Sequence, residues 1–301
     1  MSWEDKFQSW AQPLSIIEKT KCENSERAIK QAIRNDKALS KLNIRVFAQG
    51  SYPAGTNVRL DSDVDICICL LEPFFTQYPP GKTQQDFGLV DGSLNFSEYK
   101  QLVEDALVNQ FGRANVKRGG KAFNIHENSY RIDADAVPAF AHRRYSGTYN
   151  SDGSHHYITP TGIKFISDKG KAVINWPEQS FENRNEKNEE TGKRFKRIIR
   201  IMKVLRNEMQ DAKIKAASDI VSFLIESLVW NAPNEAFEHN KLSDDVRSVL
   251  AHCFNHTMDD AKCKEWREIN ELKYLFRSSQ PWSREQAHDF LSAAWDYIGF
   301  E

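Results

Sequence analysis

Between Gly50 and Leu70 the chain reads GSYPAGTNVRLDSDVDICICL, and the end of that stretch has the signature of a β-strand. Val64, Ile66, Ile68 and Leu70 alternate with Asp63, Asp65, Cys67 and Cys69. A period of two places successive side chains on opposite faces of a sheet. The spacing predicts a strand over 62–71, with Asp63 and Asp65 projecting from one face at its head. Two carboxylates held this way suit shared binding of Mg²⁺, a hard ion that takes oxygen ligands. An alternating stretch over 44–49 predicts a preceding strand that ends at Gly50-Ser51. Gln49 leads into this turn. A residue without a side chain at position 50 lets backbone N–H groups approach a phosphate, and Ser51 adds a hydroxyl donor.

A later segment, Tyr-Arg-Ile-Asp-Ala-Asp-Ala-Val-Pro, predicts a further strand over 130–137, ended by Pro138. Asp133 and Asp135 share one face there, and either supplies a third carboxylate. A lone Gly-Ser after a strand is usually only a turn, and a lone Asp-x-Asp at a strand end is usually a solvated edge. Ordered together, these elements point to in-line displacement at an α-phosphorus with pyrophosphate leaving.

The rest of the chain predicts the frame. A helix is expected over 24–42 on the stripe Ala28, Ile29, Ala32 and Ile33. After a loop rich in Pro, Gly and Gln over 72–95, Ser97 is expected to cap a second helix that Gly112 stops. The polar, Gly-rich segment 142–161 reads as a surface loop. From about Thr191 the pattern becomes helical. Phe195, Ile198, Ile199, Met202, Leu205 and Met209 mark one helix, 218–231 another, and a Ser283–Gln286 capping box opens the last, closed by Gly299. The expected division is a strand-containing part over 1–185 and a helical part over 186–301. With 41 basic against 42 acidic residues, any polyanion site must be a local patch. The N-terminus lacks a signal pattern and no apolar run approaches membrane-spanning length, so no membrane partner is expected. Five irregularly spaced cysteines fit a reduced, cytoplasmic setting.

On Gly50-Ser51, Gly55-Thr56, Arg59, Ser62-Asp63-x-Asp65 and the Asp-Ala-Val-Pro-Ala-Phe segment that begins at Asp135, the chain resembles the DNA polymerase β-like nucleotidyltransferases. Within them it is similar to 2′-5′-oligoadenylate synthetases, cyclic GMP–AMP synthase and the bacterial CD-NTases of CBASS anti-phage systems. The resemblance implies an α/β (α+β) fold: a mixed sheet and a helical C-terminal lobe, bilobed with the active site in the cleft. It makes 1–185 the catalytic core and 186–301 the helical lobe. The implied activity is template-independent synthesis of a cyclic di- or trinucleotide second messenger from nucleoside triphosphates. Asp63, Asp65 and Asp135 become the catalytic metal ligands for two Mg²⁺ ions, with Mn²⁺ as a substitute, and Asp135 is preferred over Asp133.

Further roles come with the resemblance. Gln49, Gly50 and Ser51 fall at the nucleotide. In the helix RFKRIIRIMKVLR, Lys203 takes the place of a lysine that holds the triphosphate, with Lys196 earlier on the helix. Ser222 would contact phosphate and Phe223 would stack on a base, without the phenolic hydroxyl of a tyrosine. Asn175 lies where the family reads a base edge, and an amide donates and accepts together as uracil requires. ATP and UTP are therefore the expected substrates. A separate effector activated by the product is the implied partner, alongside a regulatory protein or RNA. The run Lys193, Arg194, Lys196, Arg197, Arg200, Lys203 and Arg206 contains no acid, so it is either a phosphate-facing surface or a plain basic face. His252-Cys253-x-x-His256 with Cys263 has no zinc spacing. The competing readings are a transferase that modifies a macromolecule or drug, and an inactive nucleotide- or RNA-binding module.

Overall fold

The structure, a computed structural model, describes residues 2–58 and 63–300. In chain order these form α1 (Trp3–Trp10), α2 (Ile16–Asn35), β1 (Ile44–Gln49), α3 (Ser51–Ala54), β2 (Val64–Gln77), α4 (Phe96–Phe111), β3 (Val116–Arg118), β4 (Phe123–Ile125) and β5 (Ala134–Tyr149). They continue with β6 (His155–Ile166), β7 (Ala172–Asn175), α5 (Pro177–Glu190), α6 (Phe195–Asp211), α7 (Ser222–Trp230), α8 (Leu242–Thr257), α9 (Asp260–Cys263) and α10 (Arg284–Ile298). Two compact units result: a sheet unit within 15–53 and 61–178, and a helical unit within 1–14, 54–60 and 179–301.

The sheet unit is built on the order β1-β2-β5-β4-β3, with β6 joining β5 to β7. β1 and β2 are antiparallel, whereas β2 and β5 run parallel from Val64↔Ala134 to Leu70↔Phe140. The sheet is thus mixed, as expected. Val64, Ile66, Ile68 and Leu70 are fully buried, and Cys67 and Cys69 on the opposite face are buried too. From α4, the Tyr99 hydroxyl donates to the Ile68 carbonyl at 3.0 Å and fixes that helix over the middle of β2.

Several expected boundaries move. α2 begins at Ile16, on a Ser15–Glu18 capping box, because its first turns are exposed and carry no apolar stripe; Ile16 is 85% exposed. Its polar Asn24 and Ser25 donate to the carbonyls of Tyr130 and Ile132 at 3.0 and 2.8 Å, bracing the segment that leads into β5. The cap of α4 is Asn95 and not Ser97, since Asn95 and Glu98 exchange both bonds of a capping box. β5 does not end at Pro138 but runs through it. On the side away from β2, β4 pairs only with residues up to Ala136 and β6 only from Phe140, so Pro138 falls in the gap where no donor is needed. The segment 142–161 is no loop; it forms most of a ribbon between β5 and β6, closed at Tyr149↔His155 around Gly153 at φ +80°. Its tip is exposed on both faces, so no apolar alternation marks it.

In the helical unit, α6 buries Phe195, Ile198, Ile199, Met202, Leu205 and Met209 as the spacing predicts. These pack with Phe7 of α1, Leu224, Ile225 and Leu228 of α7, Val246 and Val249 of α8, and Phe290 of α10 in one cluster. α7 starts at Ser222, four residues later than 218. Ser283 and Gln286 form the capping box of α10, and Gly299 closes that helix at φ +76°. Among the described residues no helix is long and apolar enough to cross a membrane.

Candidate active site

Gly50 follows the last rung of the β1–β2 pair, Gln49↔Asp65. Its φ is +74°, and a Cβ built on it would stand 2.6 Å from Oδ2 of Asp65. The missing side chain therefore brings bare backbone against a carboxylate, and Ser51 begins α3 directly after it. Asp65 is paired in parallel register with Asp135, so both carboxylates leave the same face of the sheet. Asp63, exposed, stands two residues before Asp65, where the N–H of Val64 donates to the Asp133 carbonyl at 3.1 Å. Asp133 itself turns to the neighbouring loop: its Oδ1 accepts the Glu127 N–H at 2.5 Å and lies 3.9 Å from Nδ1 of His126. Among the described residues, Asp135 accepts a long contact, 3.4 Å, from the Asn124 amide. Arg59 and Ser62, part of the motif, lie outside the described residues.

Among the described residues no three Asp, Glu, His or Cys side chains converge into a ready metal cage. Mg²⁺ keeps several waters and binds through one or two carboxylates plus substrate phosphates. The donor set is oxygen only, and the missing side chain of Gly50 lets the Asp65 carboxylate lie against the turn. The residues present fit a divalent hard cation.

In the helical unit the expected phosphate grip looks different. Lys203 is 2% exposed, donates to the Thr56 carbonyl at 2.9 Å and is ion-paired with Glu226. The carboxylate of Glu226 also accepts Arg184 Nε and Thr56 Oγ1, both at 2.8 Å. Burial pushes the Glu226 carboxyl up, but Arg184 and Lys203 outweigh it and hold the group at about 2. Sequence reasoning missed Glu226 and Arg184. The available signal was an acid inside the otherwise apolar SFLIESLVW, since a buried carboxylate requires a cation. Ser222 opens α7, and its Oγ lies 3.2 Å from Nη2 of Arg206, which also donates to the Ile220 carbonyl. Arg206 is the third residue missed; it stands one turn beyond Lys203 on α6. The half-buried Phe223 ring lies 6.2 Å from that of Trp282. Lys196, also half-buried, donates to Oδ1 of Asn185 at 2.5 Å.

Asn175 ends β7 opposite Ile163, and its amide makes no hydrogen bond with the described residues. His252 and His256 stack with centroids 4.0 Å apart, next to Trp266, and form an aromatic pile with no metal-ligand cluster among the described residues.

A family described as the cGAS/DncV-like nucleotidyltransferase C-terminal helical domain matches residues 182–299. A cyclic dipyrimidine nucleotide synthase CdnE from Legionella pneumophila is 42% identical over 301 residues, covering 99% of this chain and 98% of that one. Its counterpart from Cecembia lonarensis is 40% identical over 298 residues, with 99% and 98% covered. Among solved structures, the Rhodothermus marinus CdnE c-UMP-AMP synthase with Apcpp and Upnpp superposes with a TM-score of 0.83 at 27% identity, covering 99% of this chain and 97% of that one.

Proposed function

The chain belongs to the cGAS/DncV-like nucleotidyltransferases, the family of the cyclic nucleotide synthases, and we propose that it joins two nucleoside triphosphates, at least one of them UTP, into a cyclic dinucleotide. The rung Asp65–Asp135 beside the Gly50 turn carries this reading. It supplies parallel carboxylates and open backbone at one end of β2, as transfer of a nucleotidyl group requires.

In this reading Asp63, Asp65 and Asp135 hold the divalent cations. Bound Mg²⁺, or Mn²⁺ in its place, supplies charge neutralisation at the phosphorus and a lowered pKa for the attacking hydroxyl. The protein's own share is positioning. β2 and β5 fix two carboxylates in register, and Gly50 gives the Asp65 carboxylate its place against the turn. Ser51 donates to phosphate, while Gln49 borders the turn. In the helical unit, Ser222 and Arg206 meet the triphosphate, and Phe223 offers a stacking face. Lys203 then holds the Thr56 segment in place from below. Asn175 presents an unpaired amide to a pyrimidine edge. One hydroxyl attacks one α-phosphate, the bond to the β-phosphate breaks and pyrophosphate leaves; the linear product then turns round for the second transfer, which releases the second pyrophosphate. The product serves as the second messenger of an anti-phage CBASS system, read by a separate effector.

Incubating the purified chain with all four ribonucleoside triphosphates and Mg²⁺, then phosphatase, then mass spectrometry tests this. A phosphatase-resistant cyclic product containing uridine is the expected result. Label transferred only to a macromolecule or drug would replace it with the competing transferase reading.

A further inference from the structure

A separate concavity of about 420 Å³ opens on the helical unit, between the end of α1 and the start of α6. Lys193, Lys196, Arg197 and Arg200 line it with the amides of Gln12 and Asn188, and no carboxylate contributes to the wall. The structure shows which members of the basic run remain for a ligand. Arg194 is taken by Asp245 at 2.6 Å, Lys203 by Glu226, Arg206 by the Ile220 carbonyl and Ser222, and Arg200 by the carbonyls of Ala11 and Gly55, while the exposed Lys193 lies 3.9 Å from Glu189. Arg197 is exposed and makes no side-chain hydrogen bond or ion pair with the described residues. Burial pulls the Lys196 ammonium down, and Arg184 and Arg200 repel it further, while its hydrogen-bond partner is the neutral Asn185. Glu189 offsets only part of this, and cations gathered and partly desolvated around a wall without carboxylates carry an electrostatic cost that an anion would relieve.

Shape chooses among anions. A nucleic-acid backbone needs cations spread along a track of phosphates. Here the neighbouring cations are spent inside the fold, and those left converge on one hollow. Lys196 and Arg206 are ten residues apart on α6, about 15 Å along its axis, so the hollow is distinct from the Ser222–Arg206 pair.

We infer that this concavity binds a compact polyphosphate, a ligand with two or more linked phosphoryl groups, at a site apart from the transferred nucleotide. Pyrophosphate released by the reaction and the phosphate tail of a nucleotide share this chemistry.

Equilibrium dialysis of the full chain against sodium tripolyphosphate, without divalent metal, tests it. The double variant Ser222→Ala with Arg206→Ala should still bind the probe with unchanged affinity. The double variant Lys193→Glu with Arg197→Glu, both at exposed positions, should lose about tenfold or more, as loss of charge-assisted contacts implies. Thermal melts of each variant verify the fold. In the first variant, displacement by pyrophosphate assigns the site to product, and displacement by a non-hydrolysable nucleotide alone assigns it to a nucleotide tail. The inference is overturned by absence of binding to the native chain, or by its loss in the Ser222/Arg206 variant. Unchanged affinity after charge reversal would overturn it too. So would RNA binding that tightens with strand length and resists tripolyphosphate.

Discussion

The backbone of Gly50 and the carboxylate of Asp65 occupy space that one methyl group would destroy: a Cβ at position 50 would lie 2.6 Å from Asp65 Oδ2. The turn after β1 and the head of β2 are therefore one piece of structure, although fifteen positions separate the two residues. Asp65 in turn shares a rung with Asp135 from β5. The glycine decides how close the turn can come to the Asp65 carboxylate.

Gly50→Ala tests that relationship. A φ of +74° disfavours alanine by about 1 kcal/mol, which should lower Tm by only a few degrees. The clash must also rotate the Asp65 side chain, and a misplacement of about 1 Å costs roughly 100-fold in rate. Initial rates of cyclic product formation, read beside a thermal melt, separate the two effects. A variant that melts slightly lower but works at full rate would reduce Gly50 to an ordinary turn residue.

Asp133 is committed to the adjoining loop, so its substitution should differ from those of Asp63, Asp65 and Asp135. Asp63→Asn, Asp65→Asn and Asp135→Asn should each lower synthesis by about 100- to 1,000-fold or more, as loss of a group that stabilises transition-state charge does. Asp133→Asn should leave the rate within about threefold, because Asp133 is engaged by the Glu127 N–H in the adjoining loop. Product quantified by mass spectrometry across the four proteins decides between Asp133 and Asp135.

Much of this was legible because its causes are local. The period of two at Asp63–Leu70, the Asp135 segment, and the Ser283–Gln286 box each state their structure within a few residues. What was misread depends on distant partners. Pro138 looked like a strand end, and only the gap between β4 and β6 makes it tolerable inside β5. The β5–β6 ribbon is polar on both faces at its tip, so its pairing leaves no apolar signature. The partner of Lys203, the lysine that the resemblance sets at the triphosphate, was not legible either. Glu226, 23 residues on, draws Lys203 into the core.

Arg206 and Lys203 can be told apart kinetically. Arg206 adjoins Ser222 at 3.2 Å, so Arg206→Ala should raise the apparent KM for triphosphate by about tenfold, the worth of one charged hydrogen bond, with kcat little changed. A fall in kcat at constant KM would instead place Arg206 outside ground-state nucleotide binding.

Asn175 offers a test of base choice. Its amide is unengaged by the described residues, and an edge that both donates and accepts matches uracil. Asn175→Ala should reduce UTP incorporation by about 10- to 100-fold relative to ATP when the four triphosphates compete, since an unpaired polar edge is rejected by a site without its partner. Unchanged base composition in the product would move pyrimidine selection to other residues.

The buried pair Lys203–Glu226 predicts an acid-sensitive helical unit. The Glu226 carboxyl sits at about 2, well below its ordinary 4.5, because Arg184 and Lys203 overcome the effect of burial. A depressed carboxyl contributes stability that is fully present above the unfolded-state value and is lost as pH falls from about 4.5 toward 2. Glu226→Gln keeps the shape, removes that charge and leaves Lys203 and Arg184 buried without a counter-ion, a loss of about 3–5 kcal/mol. Urea unfolding at pH 7, 5, 4 and 3, followed by the signal of the α6–α7 region, should show the native chain losing stability below pH 5 more steeply than the variant. The two curves should therefore converge toward acid. Curves that stay parallel across the range would mean that Glu226 is not the group whose protonation loosens the unit.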